Sequence, residues 1–160
     1  MKKLFVLIIL IGTLFISSGQ TYEEQSLIPT LQEWLPDKPL ETTLSKLEVP
    51  YWGKTISVEE RGYYHFVEFL LRKSAHFFIF GFIAVVIYSI LPKHGFRMLS
   101  AAILTLLVAI GDEYRQSLTG GRTPTVQDVI LDMAGAVTFL ILLRIVLWIK
   151  PKPRKKAKTR

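Results

Sequence analysis

The sequence predicts an all-α integral membrane protein, a helical bundle with four transmembrane helices that include a possible N-terminal signal anchor. Half of its 160 residues are hydrophobic and the mean hydropathy is +0.35, which is too apolar for an ordinary soluble domain of this size. Four apolar segments recur along the chain, separated by polar stretches. No cysteine is present, so disulfide bonds and thiolate metal sites are excluded.

The first apolar segment covers residues 4–17 and follows Lys2 and Lys3. It is short for a complete span of about 20 residues. Residues 1–19 therefore fit either a signal peptide, with Ser17, Ser18 and Gly19 near a cleavage site, or an uncleaved signal anchor. Both alternatives place the following segment outside the cell, and we favour the uncleaved helix.

Residues 20–69 are predicted to form an extracellular or interfacial segment. Residues 19–60 hold eight acidic and three basic side chains, and four prolines interrupt them. A short interfacial helix over 26–35 fits the spacing of Leu27, Leu31 and Leu35, but we favour a partly ordered loop on the bilayer surface. The aromatic residues are interpreted as anchors at the membrane interface, namely Tyr51, Trp52, Tyr63 and Tyr64.

Residues 70–149 are predicted to form the membrane domain. The segment 74–91 carries His76 as its only charge-bearing side chain and predicts a spanning helix, extended outward by residues 67–73. The segment 98–111 spans the membrane only if its helix continues through Asp112 to about Leu118. The fourth segment, 129–149, carries Asp132 near its start and Arg144 near its far end.

The basic residues predict the orientation. The tail 150–160 holds seven Lys or Arg and no acid. If all four segments cross, the tail lies on the same side as Lys2, Lys3, Lys93 and Arg97, and this side is cytoplasmic by the positive-inside rule. We therefore predict a multi-pass protein of the cell membrane with cytoplasmic N- and C-termini, whose tail attracts anionic lipid at about 1 kcal/mol per charge. Nucleic acid is not an expected partner.

The stretch "GDEYRQSLTGGRTPTVQD" (111–128) brings charges of both signs between two apolar segments. Asp112, Glu113 and Gln116 are three or four positions apart and so lie close together on a helix. Thr123 before Pro124 suits a helix N-cap, and Thr125 with Asp128 matches a capping box as well.

Helical spacing places further polar residues at the same level. Asp128, Asp132 and Gly135 share one face of the fourth helix, and Gly135 with Ala136 permits close approach of a neighbouring helix. Ionisable side chains cost about 2.5–3.5 kcal/mol each at the membrane centre, so we expect them to face one another. The predicted pocket, at the outer face, consists of Lys73, His76, Asp112, Glu113, Gln116, Arg122, Asp128 and Asp132.

These residues resemble the pattern of the VanZ-like family of bacterial integral membrane proteins. That pattern has a Lys and a His opening one helix, then Asp-Glu, Gln and Gly-Arg, followed by Asp, Asn and Gly in the last helix. The matching positions here are Lys73, His76, Asp112, Glu113, Gln116, Gly121, Arg122, Asp128 and Gly135. Asp132 stands at the position of the Asn and adds a carboxylate. The resemblance covers about residues 70–145, leaves 19–60 outside, and implies an envelope protein involved in resistance to glycopeptide (teicoplanin-type) antibiotics.

We therefore expect the pocket to bind a membrane lipid headgroup or a lipid-linked cell-wall precursor, with Arg122 near a helix N-terminus suited to a phosphate or carboxylate. The alternatives are an intramembrane enzyme acting on a lipid phosphate, with Glu113 or His76 as general acid or base, and a lipid flippase. A purely structural ion-pair network is equally compatible with each residue taken singly. No catalytic residue and no cofactor are assigned, and no metal is expected because one histidine without cysteine makes an ill-defined zinc site.

Overall fold

The computed structural model of the protein describes residues 2–51, 53–119 and 125–149. Each of the four apolar segments lies in a long helix, and a region with short elements separates the first two long helices. In chain order the elements are α1 (Lys2–Ser18), α2 (Ile28–Trp34), α3 (Glu41–Leu44), β1 (Val49–Tyr51), β2 (Lys54–Ile56), α4 (Val58–Arg61), α5 (Tyr63–Ile90), α6 (Arg97–Ser117) and α7 (Val126–Ile149).

Two of these helices, α5 and α7, are long and apolar enough to cross a membrane. Their most apolar stretches are only 28% and 22% buried within the protein, whereas the core helix of a soluble protein is mostly buried. Their outward faces therefore suit contact with lipid. α1 has 17 residues, fewer than the roughly 20 that a complete membrane span needs. α6 has 21 residues, but four of them are charged, namely Arg97, Asp112, Glu113 and Arg115.

The long helices alternate in direction. α5 and α7 run parallel, because Lys73 contacts Asp128 and the ring of Phe139 packs on Gly81 further along both helices. Lys3 at the start of α1 donates to the Ser89 carbonyl near the end of α5, 3.2 Å away. α1 therefore runs antiparallel to α5, and the short connection from Ile90 to Arg97 returns α6 in the direction of α1.

Small residues bring the helices together in the core. α7 packs most extensively on α5, and Ala84, Ala101, Ala109 and Ala136 are completely buried where the long helices meet. At Gly135 the two backbones approach so closely that a Cβ atom would lie 2.8 Å from the carbonyl carbon of Phe77. Small side chains at such contacts let helices in lipid approach until van der Waals packing stabilises them.

The region between α1 and α5 is folded. The helix at 28–34 corresponds to the helical alternative for residues 26–35, and not to the loop that we favoured. A two-stranded antiparallel hairpin, with Val49 paired to Ile56, was not predicted. Its strands are only three residues long and one contains Pro50, so the local pattern resembles a loop.

This region packs on the first turns of α5. Ile56, Val58, Tyr63 and Phe66 form a second buried apolar cluster, which explains why α5 begins at Tyr63, earlier than residue 67. Gly62 adopts a φ of 80° between α4 and α5, a backbone conformation that glycine adopts without strain. The region is thereby fixed to the same end of the bundle that carries the polar side chains.

Candidate functional site

A group of polar side chains lies where the ends of the long helices and the hairpin meet, and we call it the polar cluster. Its members come from α1, β1, α5, α6 and α7 and from the residue before α7. They are Ser18, Tyr51, Lys73, His76, Asp112, Glu113, Gln116, Thr125, Asp128 and Asp132.

Asp128, in the first turn of α7, is the most connected member. Its Oδ1 accepts hydrogen bonds from Lys73 Nζ and from the Tyr51 hydroxyl, and its Oδ2 accepts from Thr125 Oγ1 at 2.8 Å. The ammonium of Lys73 also lies 4.5 Å from the centre of the Tyr51 ring. Asp128 therefore joins the hairpin to α5 and α7.

The start of α7 is tied to α6. Thr125 Oγ1 accepts from the Asp128 N–H at 3.0 Å, which is the N-cap bond predicted for this pair. The Thr125 N–H in turn donates to Glu113 Oε2 at 2.9 Å. The alternative cap at Thr123 and Pro124 lies outside the described residues. The second oxygen of the buried Glu113, Oε1, has no hydrogen-bond partner among the residues described.

Asp112 is held by two donors. Its Oδ1 accepts from the Ser18 hydroxyl at the end of α1, and its Oδ2 accepts from Gln116 Nε2 at 2.6 Å, one turn along α6. Asp112 is only 5% exposed. The residues predicted to lie near one another on the third helix thus do so, and α1 supplies a partner that was not predicted.

Asp132 is completely buried between α5 and α7. Its Oδ1 lies 3.2 Å from His76 Nδ1, and its Oδ2 has no hydrogen-bond partner among the described residues. One ligand atom each of His76, Asp112 and Asp132 lies within 4.8 Å of the others. Such a spacing suits side chains that share one metal ion, whereas no metal is expected from the sequence.

The described part of the polar cluster is rich in negative charge. It holds the carboxylates of Asp112, Glu113, Asp128 and Asp132, against the ammonium of Lys73 and the imidazole of His76. Lys73 is paired with Asp128. Among the described residues, the partners of the other three carboxylates are neutral donors and His76.

The arrangement places seven of the eight predicted pocket residues in one cluster. The eighth, Arg122, lies outside the described residues. Sequence reasoning missed Ser18, Tyr51 and Thr125 as cluster members. Tyr51 was interpreted as an interface anchor, but its hydroxyl contacts Asp128. The pKa of Tyr51 is raised above the ordinary value of 10.0, mainly by burial and secondly by this hydrogen bond.

A second polar group lies closer to the start of α5. Glu68 is almost fully buried and accepts from the Leu27 N–H at 2.7 Å, the Tyr22 hydroxyl at 2.9 Å and Arg72 Nη2 at 3.1 Å. Arg72 also donates to the carbonyl of Gln25 at 2.9 Å. These bonds fix the chain after α1 onto α5, so Arg72 serves this anchor and not the polar cluster.

A cavity of about 400 Å³ lies near the opposite end of the bundle, where its lining includes Leu7, Ile87 and Leu104. None of the polar cluster residues lines it. Its apolar walls suit a hydrocarbon chain. The cavity is therefore a separate feature from the polar cluster.

The fold and the cluster together define a helical membrane protein with a buried polar site between its helices. The family model described as VanZ/LLP1 matches residues 3–147, and the chain belongs to this family. The match includes residues 19–60, so the expectation that this segment lies outside the resemblance is wrong. No curated protein and no solved structure matches the chain.

Proposed function

We propose that the polar cluster binds the headgroup of a membrane lipid or of a lipid-linked cell-wall precursor at the outer face of the bacterial cell membrane. By occupying or sequestering that headgroup, the protein lowers susceptibility to glycopeptide antibiotics of the teicoplanin type. Membership of the VanZ/LLP1 family supports a role of this kind. The cluster supplies the chemistry that the role needs.

The proposal includes a topology in which all four long helices cross the membrane and both termini are cytoplasmic. α1 packs on α5 and α6, and Ser18 at its end contacts Asp112, which supports α1 as a retained helix. Lys3 lies beside Ser89, so the basic residues Lys3 and Arg97 share the end opposite the polar cluster. The positive-inside rule then assigns the cluster to the outer face.

The observation that carries the proposal is the buried Glu113 carboxylate with one unpartnered oxygen. A buried acceptor without a donor costs about 1–3 kcal/mol, and more when it is charged. The hydroxyl groups of glycerol or sugars and the ammonium of ethanolamine are donors found in lipid headgroups, and any of them would satisfy Glu113 Oε1. Arg122, which lies between α6 and α7 in the sequence, would hold the accompanying phosphate.

Identification of co-purifying lipid tests this proposal. Wild-type protein and the variants Glu113→Gln and Arg122→Ala are purified in a mild detergent, and bound lipids are quantified by mass spectrometry. Wild type is expected to retain one enriched lipid class that both variants lose by at least 10-fold. Arg144→Ala, which removes an exposed arginine near the far end of α7, is the matched control. Equal lipid profiles for all four proteins would refute headgroup binding.

The phenotype requires a separate experiment. Cells that express the wild-type protein are expected to show a higher inhibitory concentration of teicoplanin than cells without it, and Glu113→Gln is expected to remove the difference. Membrane levels of both proteins are compared by immunoblot. Unchanged susceptibility in the wild-type strain would refute the resistance role, and headgroup binding would then be judged by the lipid measurement alone.

A second candidate function is an intramembrane enzyme that acts on a lipid phosphate. The proximity of His76 to the carboxylates of Asp112 and Asp132 favours it, because acid–base groups side by side can move a proton. Purified protein incubated with short-chain phosphatidic acid and with a lipid pyrophosphate would then release inorganic phosphate, and His76→Gln would abolish the release. No release from either lipid at any metal concentration would refute catalysis.

A further inference from the structure

Three side chains from three different helices converge in the described part of the polar cluster. His76 comes from α5, Asp112 from α6 and Asp132 from α7, and one ligand atom of each lies within 4.8 Å of the other two. We propose that these residues bind a divalent transition-metal ion such as Mn²⁺ or Zn²⁺. The proposal does not depend on lipid binding.

The burial of the two aspartates is the first argument. Asp132 is completely buried and Asp112 is 5% exposed, and two buried carboxylates so close repel each other strongly unless positive charge or a proton is added. Lys73 contacts Asp128, and Arg72 contacts Glu68. Among the described basic side chains, only His76 contacts either of these two aspartates.

The unpartnered oxygen of Asp132 is the second and independent argument. Oδ2 has no hydrogen-bond partner among the described residues although the side chain is fully enclosed. A buried charged acceptor left unsatisfied is costly. A cation bound between Asp132 and Asp112 would satisfy this oxygen and neutralise both carboxylates at once.

His76 and Asp132 have the donor-atom spacing expected around a shared ion, and a ligand atom of Asp112 lies within 4.8 Å of theirs. Ligand atoms that each lie about 2.1 Å from a metal, at tetrahedral or octahedral angles, are about 3.0–3.4 Å apart. The distance between His76 Nδ1 and Asp132 Oδ1 is 3.2 Å. One imidazole with two carboxylates is an oxygen-rich ligand set that suits Mn²⁺ better than Zn²⁺, and it leaves coordination positions open for water or for an oxygen of another molecule.

The surroundings orient the proposed ligands. Ser18 and Gln116 each donate a hydrogen bond to a different oxygen of Asp112. Every carboxylate oxygen has two lone pairs, so a hydrogen bond on one of them leaves the other for a metal. Hydrogen bonds of this kind fix the direction of metal-binding carboxylates, and their loss typically lowers metal affinity by about 10–100-fold.

Metal titration of the purified protein tests the site. Full-length protein in detergent is stripped with EDTA and titrated with Mn²⁺, and free Mn²⁺ is followed by electron paramagnetic resonance. Competition with Zn²⁺ is measured in the same samples. We expect one ion per chain, displaced by Zn²⁺, with affinity at least about 100-fold lower in Asp132→Asn and Asp112→Asn and about 10–100-fold lower in Gln116→Leu.

Glu68→Gln is the matched control, because it changes a buried carboxylate of α5 that is not one of the three ligands. Its Mn²⁺ affinity is expected to equal that of wild type. Wild type that binds neither ion, or Asp132→Asn that binds Mn²⁺ as wild type does, would overturn the proposal. If an aspartate variant fails to fold, as judged by circular dichroism and gel filtration, the wild-type titration together with His76→Gln decides the question.

The result is separable from the lipid proposal. Arg122→Ala is expected to lose bound lipid and to keep the metal, whereas Asp132→Asn is expected to lose the metal. A protein that binds lipid without metal would refute the metal site alone. A protein that binds metal without an enriched lipid would refute headgroup binding alone.

Discussion

The close contact between α5 and α7 at Gly135 predicts that Gly135→Ala destabilises the protein. The added Cβ atom would lie 2.8 Å from the Phe77 carbonyl carbon and 3.0 Å from its Cα, with the carbonyl oxygen closer still. An ordinary contact begins at 3.4 Å, so the backbones must separate by at least 0.6 Å, the difference between 3.4 and 2.8 Å. The neighbour is backbone and cannot rotate away.

The size of the effect follows from two opposing contributions. Replacing glycine by alanine inside a helix stabilises the helix by about 1 kcal/mol. Overpacking costs about 1–3 kcal/mol, and occasionally more, and a clash with backbone places this site at the upper end. We expect the free energy of unfolding of Gly135→Ala to be about 2 kcal/mol lower than that of wild type. Gly111→Ala in α6 meets no atom within 4 Å and is expected to gain up to about 1 kcal/mol.

Unfolding of the two variants and wild type by SDS in mixed micelles, followed by circular dichroism, measures the difference. The expected separation between Gly135→Ala and Gly111→Ala is about 3 kcal/mol. Asp132 lies one turn before Gly135 on α7, so separation of α5 from α7 would also move Asp132 away from His76. The Mn²⁺ affinity of Gly135→Ala should therefore fall. Equal stability of the two alanine variants would refute the close approach of the helices.

Three further predictions concern contacts elsewhere in the protein. Phe139→Ala removes a half-buried ring whose centre lies 5.2 Å from the centre of the Phe82 ring, which it meets edge-on. The free energy of unfolding in the same assay is expected to fall by about 2–3 kcal/mol. Tyr51→Phe removes the hydrogen bond to Asp128, and the free energy of unfolding at pH 7 is expected to fall by about 1 kcal/mol. Because burial and this bond raise the pKa of Tyr51 above 10.0, wild-type stability should decline above about pH 10, and the decline should be shallower in the variant. Glu68→Ala leaves the Tyr22 hydroxyl and the Leu27 N–H without their acceptor, and limited proteolysis should cleave residues 20–35 at least 10-fold faster than in wild type.

Each of these predictions has an outcome that contradicts it. Phe139→Leu should lose less than Phe139→Ala, and the reverse order would show that the ring is not packed on α5. Parallel alkaline curves for Tyr51→Phe and wild type would exclude the buried contact with Asp128. Proteolysis that is no faster in Glu68→Ala than in Glu68→Gln would show that Glu68 does not anchor the region after α1.

The sequence was sufficient for features that depend on periodicity. The spacing of Asp128, Asp132 and Gly135 predicts one face of a helix, and all three lie against α5. The third apolar segment is expected to span only if its helix continues through Asp112 to about Leu118, and α6 does continue to Ser117. Local spacing determines these features because the helical repeat is fixed.

Other features depend on contacts between distant parts of the chain, which spacing does not reveal. Tyr51 reaches Asp128 because a hairpin of three-residue strands folds over the start of α5, and its short strands with Pro50 give no alternating pattern. Ser18 lies in a stretch whose small residues also fit a cleavage site, so nothing local distinguishes it as a partner of Asp112. The family resemblance aligned residues 70–145 through their polar motifs, whereas residues 19–60 lack such motifs although the family match includes them.

The parallel packing of α5 and α7 has a consequence for biogenesis. Lys73, His76, Asp112 and Glu113 precede α7 in the chain, so in the proposed four-span topology they are synthesised before residues 126–149. Until α7 is in place, Lys73 has no Asp128 and His76 has no Asp132 beside it. Unpaired ionisable side chains are costly in lipid, so a chain that stalls before its last helix presents a strongly unfavourable surface to the bilayer. In the proposed topology the polar cluster is therefore complete only when α7 has packed against α5.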